Sequence, residues 1–154
     1  MQRVGERDGV RIYDDYGHHP TEIAATLQAA RDLAGTGRLL VCFQPHLYSR
    51  TYHNVDAFAR VFAAVDDLTV CSVYAAREAP IPGVNGNIIT ERLGQGTYVA
   101  DMYAAGLHAF RAARPGDLLL FLGAGSITHV GHAIAAGHDY ASVDQAAQAK
   151  ASQA

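Results

Sequence analysis

The chain has 154 residues with 49% hydrophobic and 18% charged content; at this length folding removes roughly 70% of the unfolded surface from water, so one core forms without a disulfide or metal staple. A net charge of −3 with no basic stripe argues against a nucleic-acid partner. No apolar run approaches the ~20 residues that a membrane span needs, and Met1-Gln2-Arg3 lacks the apolar core of a signal peptide. The two cysteines, Cys42 and Cys71, sit inside apolar runs, as small buried hydrophobes of a reducing compartment do. The cytoplasm is the expected location.

In chain order, Gln2–Glu6 and Val10–Asp14 flank Arg7-Asp8-Gly9, and Asp-Gly predicts a hairpin because Gly takes positive φ freely. Val10, Ile12 and Val4 are expected to face the core. The next residues, Asp14-Asp15-Tyr16-Gly17-His18-His19, form a polar turn. Pro20 then suits the first position of a helix, and Glu22 suits its first turn. Ile23, Leu27, Ala30 and Ala34 repeat at helical spacing up to a stop at Gly35-Thr36-Gly37.

Arg38–Phe43 is a continuous apolar run, the pattern of a strand buried on both faces. Gln44–Thr51 reads as a polar loop. Val55, Phe58, Ala59 and Phe62 mark an amphipathic helix broken at Asp66-Asp67. Leu68–Tyr74 predicts a second buried strand, and Ala75–Gly86, with Pro80, Pro82, Gly83 and Gly86, predicts a loop. Ile88, Ile89 and Leu93 predict a short helix and Thr97–Ala100 a short strand. Met102–Arg114 predicts a helix with Leu107, Phe110 and Ala113 inward. Leu118–Leu122 is the third apolar strand, and Gly123-Ala124-Gly125-Ser126 joins it to a helix over Ile127–Ala136. The tail from Ala141 reads as a frayed helix or disorder.

The expected fold is therefore α/β: a three-layer, mainly parallel, Rossmann-like sheet with helices on both faces and an antiparallel amino-terminal hairpin at its edge. Residues 1–140 form the domain and 141–154 the tail.

The polar stretches admit several chemistries. In an open α/β sheet, ligands bind at the carboxyl ends of the strands, where Asp14–His19 falls. A carboxylate there can accept ribose hydroxyls, and the histidines can hold a carboxylate or phosphate. The same residues can instead cap a helix, or His18, His19 and Asp15 can bind a metal. Arg50, near a helix start, suits an anion, because its planar fork matches a carboxylate. Gly123-Ala124-Gly125 lets a ligand or another loop approach the backbone. His129 and His132 are three apart with no carboxylate near them in sequence, and read as surface or partly packed residues. There is no G-x-x-x-x-G-K-[ST] loop, no full dinucleotide fingerprint and no G-x-S-x-G elbow.

Asp14-Asp15-Tyr16-Gly17-His18-His19-Pro20-Thr21-Glu22 closely resembles a motif of the Mur ligases, the ATP-dependent amino-acid ligases of peptidoglycan synthesis. Three further stretches agree in order and spacing: Phe43-Gln44-Pro45-His46-x-Tyr48-Ser49-Arg50-Thr51, Val73–Gly83, and Gly123-Ala124-Gly125. The resemblance runs to about Ala136. The Gln-Pro-His…Tyr-Ser-Arg stretch favours the branch that adds L-alanine to UDP-N-acetylmuramate over the murein-peptide recycling branch.

The resemblance implies one domain of a three-domain enzyme. In the family an amino-terminal domain holds the UDP-sugar, and a central domain carries the P-loop and the Mg2+ ligands. The carboxyl-terminal domain closes over them with the amino acid. By matching position, Asp15 contacts the ATP ribose. Tyr16, His18, His19, His46 and Arg50 lie where the amino acid and acyl phosphate are oriented, and Gly125 and Ser126 face the amino acid. This stretch would hold no metal ligand and no complete catalytic set, so residues 1–154 alone should show no ligase activity. The family often has Arg at the position of Leu47 and Asp at the position of Ser126. The competing expectations are a stand-alone nucleotide-binding or regulatory module and a small metal-dependent hydrolase.

Overall fold

The computed structural model describes residues 1–154. Strands β1 (Gln2–Arg7) and β2 (Val10–Asp15) form the expected antiparallel hairpin. Asp8 and Gly9 take φ of 53° and 78°, the double positive φ of a tight turn that follows the strand twist. Helix α1 (Pro20–Ala34) buries Pro20, Ile23, Leu27, Ala30 and Ala34, and Gly35 at φ 59° ends it. Next come β3 (Leu39–Phe43), α2 (Tyr48–His53), α3 (Val55–Phe62), β4 (Asp67–Val70), α4 (Asn87–Leu93) and β5 (Thr97–Tyr98). The chain ends with α5 (Met102–Ala112), β6 (Leu118–Leu122), α6 (Ile127–Ala135) and α7 (Val143–Ser152).

The six strands lie in the order β1-β2-β6-β3-β4-β5. Only β1 and β2 pair antiparallel; the other pairings are parallel. Alternation along each strand divides the core into two layers. Leu39, Val41 and Phe43 of β3, with Leu118, Leu120 and Leu122 of β6, pack against α1, α3 and α4. Leu40, Cys42, Leu119 and Phe121 pack on the other face against α5, α6 and Ala146 of α7. Phe43 meets Phe58 and Phe62 at ring-centroid distances of 5.4 and 4.9 Å, contacts that add about 0.5–1.5 kcal/mol each beyond burial. Both cysteines are buried and free. No helix is long and apolar enough to cross a membrane.

Four elements differ from the sequence expectation. The polar loop over Gln44–Thr51 ends early, because Tyr48–His53 is a helix. Its first turn is closed from a distance: the Glu78 carboxylate accepts from the Ser49 backbone N–H at 2.8 Å and from the Ser49 hydroxyl. The second buried strand stops at Val70. Cys71 N makes a last bond to β3 at Phe43 O, after which Ser72 N donates to Ala100 O and Val73 N to the Asn85 side chain, so the apolar run leaves the ladder. On α5, Leu107 is buried as expected, while Phe110 and Ala113 are half-buried and Tyr103, Ala105 and Ala109 complete the inward face. The tail includes a capped helix. Ser142 Oγ accepts from Gln145 N at 3.1 Å, and Asp101 Oδ2 accepts from Val143 N at 2.6 Å. Asp101 Oδ1 meanwhile caps α5, so one carboxylate joins the two helices.

Candidate functional site

Four loops leave the carboxyl ends of parallel strands on one side of the sheet: Tyr16–His19 after β2, Gln44–Leu47 after β3, Cys71–Gly86 after β4 and Gly123–Ser126 after β6. All the residues expected in the site lie on these loops, at the end of β2 or on the first turn of α2.

Strand alternation sends the two aspartates to opposite faces. Asp14 is buried on the α6 side, where Thr128 Oγ1 donates to its Oδ2 and His132 Nε2 lies 3.3 Å away. The sequence expectation that no carboxylate lies near His132 is therefore corrected. The partner is more than a hundred positions away and reaches His132 only through the β2–β6 pairing. Asp15 turns to the α1 side. Its Oδ1 accepts from Gly17 N at 2.8 Å and Thr26 Oγ1 at 3.2 Å, and its Oδ2 lies 2.8 Å from the Met1 amino group. A groove of about 490 Å³ opens over it, lined also by Tyr16, Gly17, His18, Glu22 and Thr26. Tyr16 is exposed at its rim.

The two neighbouring histidines do different things. His19 is the N-cap of α1: its Nδ1 accepts from Thr21 N, and its own N–H donates to Glu22 Oε1 at 3.2 Å. This reciprocal pair satisfies two otherwise orphaned donors. His18 does not cap. Its Nδ1 lies 3.0 Å from the Tyr16 carbonyl, and its ring stands 5.6 Å from that of His46. The pair does not converge on a common point with Asp15, and no group of three or more His, Cys, Asp or Glu side chains is placed to hold a metal ion.

His46 and Arg50 form the second half of the site. Arg50 Nη1 donates to His46 Nδ1 at 2.9 Å, which i,i+4 spacing across the start of α2 allows. The His46 ring stacks on Tyr74 at 5.7 Å and 18°, and a single parallel bridge joins the two backbones. Burial, then the Arg50 guanidinium and His18, hold the His46 imidazolium below its ordinary 6.5, against an opposing pull from Glu78. His46 is therefore neutral at pH 7. Between His46 and the helix, Leu47 takes φ 70° and ψ 134°. That region is sparsely populated for residues with a side chain, and holding it costs on the order of 1–3 kcal/mol.

Gln44 is the residue that sequence reasoning left out. It is 5% exposed. Its Oε1 accepts from Ile127 N at 3.1 Å and its Nε2 donates to Ser126 Oγ at 3.3 Å. Gln44 thus caps α6 from the neighbouring strand and ties the β3 loop to the β6 loop. The signal available was a polar residue directly after a five-residue buried strand. Ser126 also donates to Met102 Sδ at 3.2 Å. A Cβ on Gly125 would meet Gln44 Oε1 and Tyr74 Cδ2 at 2.7 Å each, so packing of these loops requires the glycine. Ser126 and Tyr74 also line a second hollow of about 290 Å³, with Ala100, Met102 and Val143.

The site thus has a carboxylate groove on one side, a histidine–arginine corner on the other, and a glycine loop between them. Residues 1–125 match the family described as Mur ligase, glutamate ligase domain. A UDP-N-acetylmuramate–L-alanine ligase of Nocardioides is 50% identical over 138 residues, covering 85% of this chain and 30% of that protein. The chain spans about 30% of the length of the curated relatives it matches. In fold it is similar to the UDP-N-acetylmuramate–alanine ligase of Thermotoga maritima, with TM-score 0.64 and 22% identity, covering 96% of this chain and 29% of that one. It is similar also to a murein peptide ligase of Psychrobacter arcticus, with TM-score 0.69 and 18% identity, covering 88% of this chain and 28% of that one. This chain therefore belongs to the Mur ligase family, in its glutamate ligase domain.

Proposed function

We propose that this chain is the acceptor-presenting domain of an ATP-dependent ligase that joins L-alanine to UDP-N-acetylmuramate in peptidoglycan synthesis. The observation that carries the reading is the division of the site. A carboxylate groove and a cationic corner open on the same side of the sheet, and neither is a complete catalytic centre. The 50% identity to an enzyme named for that reaction supports L-alanine over a murein peptide as the acceptor. The likeness to the murein peptide ligase, at 18% identity, supports the fold alone.

In this reading Asp15 accepts hydroxyls of the ATP ribose, with Tyr16 at the rim of the groove. Gly17 N and Thr26 fix its Oδ1, so a ribose hydroxyl would engage Oδ2 in place of the Met1 amino group that lies 2.8 Å from it. Arg50 uses Nη1 on His46 and keeps Nε and Nη2 for the carboxylate of L-alanine. His18, His46 and His19, the last at the rim as the cap of α1, surround the acyl phosphate and the incoming amine. Gly125 and Ser126 close the amino-acid side. The Mg2+ that accompanies ATP is held outside this chain, in the domains that also supply the P-loop and the UDP-sugar pocket. ATP phosphorylates the muramoyl carboxylate, and the amine of L-alanine then displaces phosphate. The domain contributes by positioning and charge neutralisation, completed on closure. ATP and a UDP-sugar as substrates fit a cytoplasmic reaction.

Arg50→Met tests the reading in the enzyme that joins this chain to its other domains. A charge-assisted hydrogen bond contributes about 1.5–3 kcal/mol, so the KM for L-alanine is expected to rise about 10- to 150-fold. The KM for ATP should stay unchanged. An unchanged KM for L-alanine would refute the assignment.

A further inference from the structure

The two histidines facing each other across the site have fixed and opposite tautomers. A backbone carbonyl only accepts a hydrogen bond, and a guanidinium only donates one. The Tyr16 carbonyl, 3.0 Å from His18 Nδ1, therefore requires the proton on Nδ1, so the neutral ring carries its lone pair on Nε2. Arg50 Nη1, 2.9 Å from His46 Nδ1, requires a lone pair there and leaves the proton on Nε2. Neither Nε2 has a partner in the protein, and the rings are 5.6 Å apart. We propose that His18 is the proton acceptor for the incoming amine, and that His46 is the hydrogen-bond donor to the oxygen that gains charge when the acyl phosphate is attacked.

This inference rests on the ligase reading and gives the two histidines separate roles within it. An amino acid arrives as an ammonium, which has no lone pair for attack. Its N–H bond breaks, and the proton passes to His18 Nε2. The imidazolium so formed keeps its Nδ1–H on the Tyr16 carbonyl, with Glu22 Oε1 at 3.8 Å to balance the charge. The freed lone pair forms the C–N bond at the acyl carbon. The bond to the phosphate oxygen breaks, and the nitrogen's second surplus proton leaves on the phosphate. His46 Nε2–H stabilises the transient oxyanion and surrenders nothing.

The neighbours agree with these roles. His18 faces Glu22, His46 and, across the groove, Asp15. His46 faces Arg50, His18 and Glu78, and its imidazolium is disfavoured. It stays a neutral donor while His18 cycles.

Two measurements test the assignment. In this chain labelled with 15N-histidine, long-range proton–nitrogen correlations at neutral pH should show the Nδ1–H tautomer at His18 and the Nε2–H tautomer at His46. The reverse pattern at either residue overturns the proposal. In the complete ligase, His18→Gln should lower kcat/KM for L-alanine by about 100-fold or more, the scale of a lost general base. Hydroxylamine, an amine already neutral at neutral pH, should rescue the variant by trapping the acyl phosphate as a hydroxamate. Loss of both products together would mark His18 as structural, and loss of neither would remove it from the reaction. If unsubstituted enzyme made neither product, the ligase reading itself would fail.

Discussion

Replacing Gln44 by Met keeps the length and volume of a buried side chain and removes its hydrogen bonds. One buried donor is then left without a partner, and Ser126 Oγ, which keeps its bond to Met102 Sδ, loses a second one. Ile127 N, in the first turn of a helix whose Ser126 cap makes no side-chain bond to it, loses the Gln44 Oε1 acceptor at 3.1 Å. Leaving such a buried N–H unsatisfied costs about 1–3 kcal/mol, and the lost bond to Ser126 adds about 0.5–1.5 kcal/mol. The sum is about 1.5–4.5 kcal/mol, with no cavity term added because the volume is nearly conserved. For a domain of this size that corresponds to a fall in Tm of roughly 3–18 °C. Thermal unfolding followed by circular dichroism measures it directly. A Tm within about 1 °C of the parent, less than 0.5 kcal/mol, would refute the view that Gln44 holds the β3 and β6 loops together.

Two further predictions follow from the same geometry. At Leu47, with φ 70°, Leu47→Gly should be more stable than Leu47→Ala by about 1 kcal/mol, reversing the usual order in which Gly is the worse residue; equilibrium denaturation of the two variants decides it. Asp117 is pushed up by burial but drawn further down by Arg38 and by the backbone N–H groups of Arg114 and Arg38, ending below its ordinary 3.8. A depressed carboxyl contributes stability above its unfolded pKa and loses it as pH falls through the folded one. The parent should therefore lose more Tm than Asp117→Asn between pH 7 and about pH 3, and equal losses would contradict the assignment.

The parts of the fold that could be read from sequence were those fixed by local rules. The Asp8-Gly9 turn, the buried Ile23, Leu27, Ala30 and Ala34 of α1 and the five-residue apolar strands β3 and β6 each follow from backbone geometry and periodicity alone. What was illegible depends on partners far along the chain. Helix α2 is polar and short, and Glu78, twenty-nine residues from Ser49, completes its start. Cys71–Tyr74 has strand composition, but Ala100 and Asn85 take the N–H groups of Ser72 and Val73. The site divided in the same way. The clustering of Asp15, His18, His46 and Arg50 at one sheet end follows from their placement after strands. The separation of Asp14 from Asp15 follows from strand alternation. Helix capping was one of the chemistries open to the histidines, and that it falls to His19 and not His18, like the bond from Arg50 to His46 and the bridging by Gln44, depends on contacts between loops that local rules do not fix.

The central claim is that this chain supplies the acceptor side of a ligase whose other half lies outside it. The most direct measurement compares residues 1–154 alone with the same residues joined to the amino-terminal and central domains, each given ATP, Mg2+, UDP-N-acetylmuramate and L-alanine. Product is scored as UDP-N-acetylmuramoyl-L-alanine together with phosphate. The account predicts no product from the isolated chain and sustained amide formation from the joined enzyme. Turnover by the isolated chain, or none by the joined enzyme with L-alanine, would contradict it.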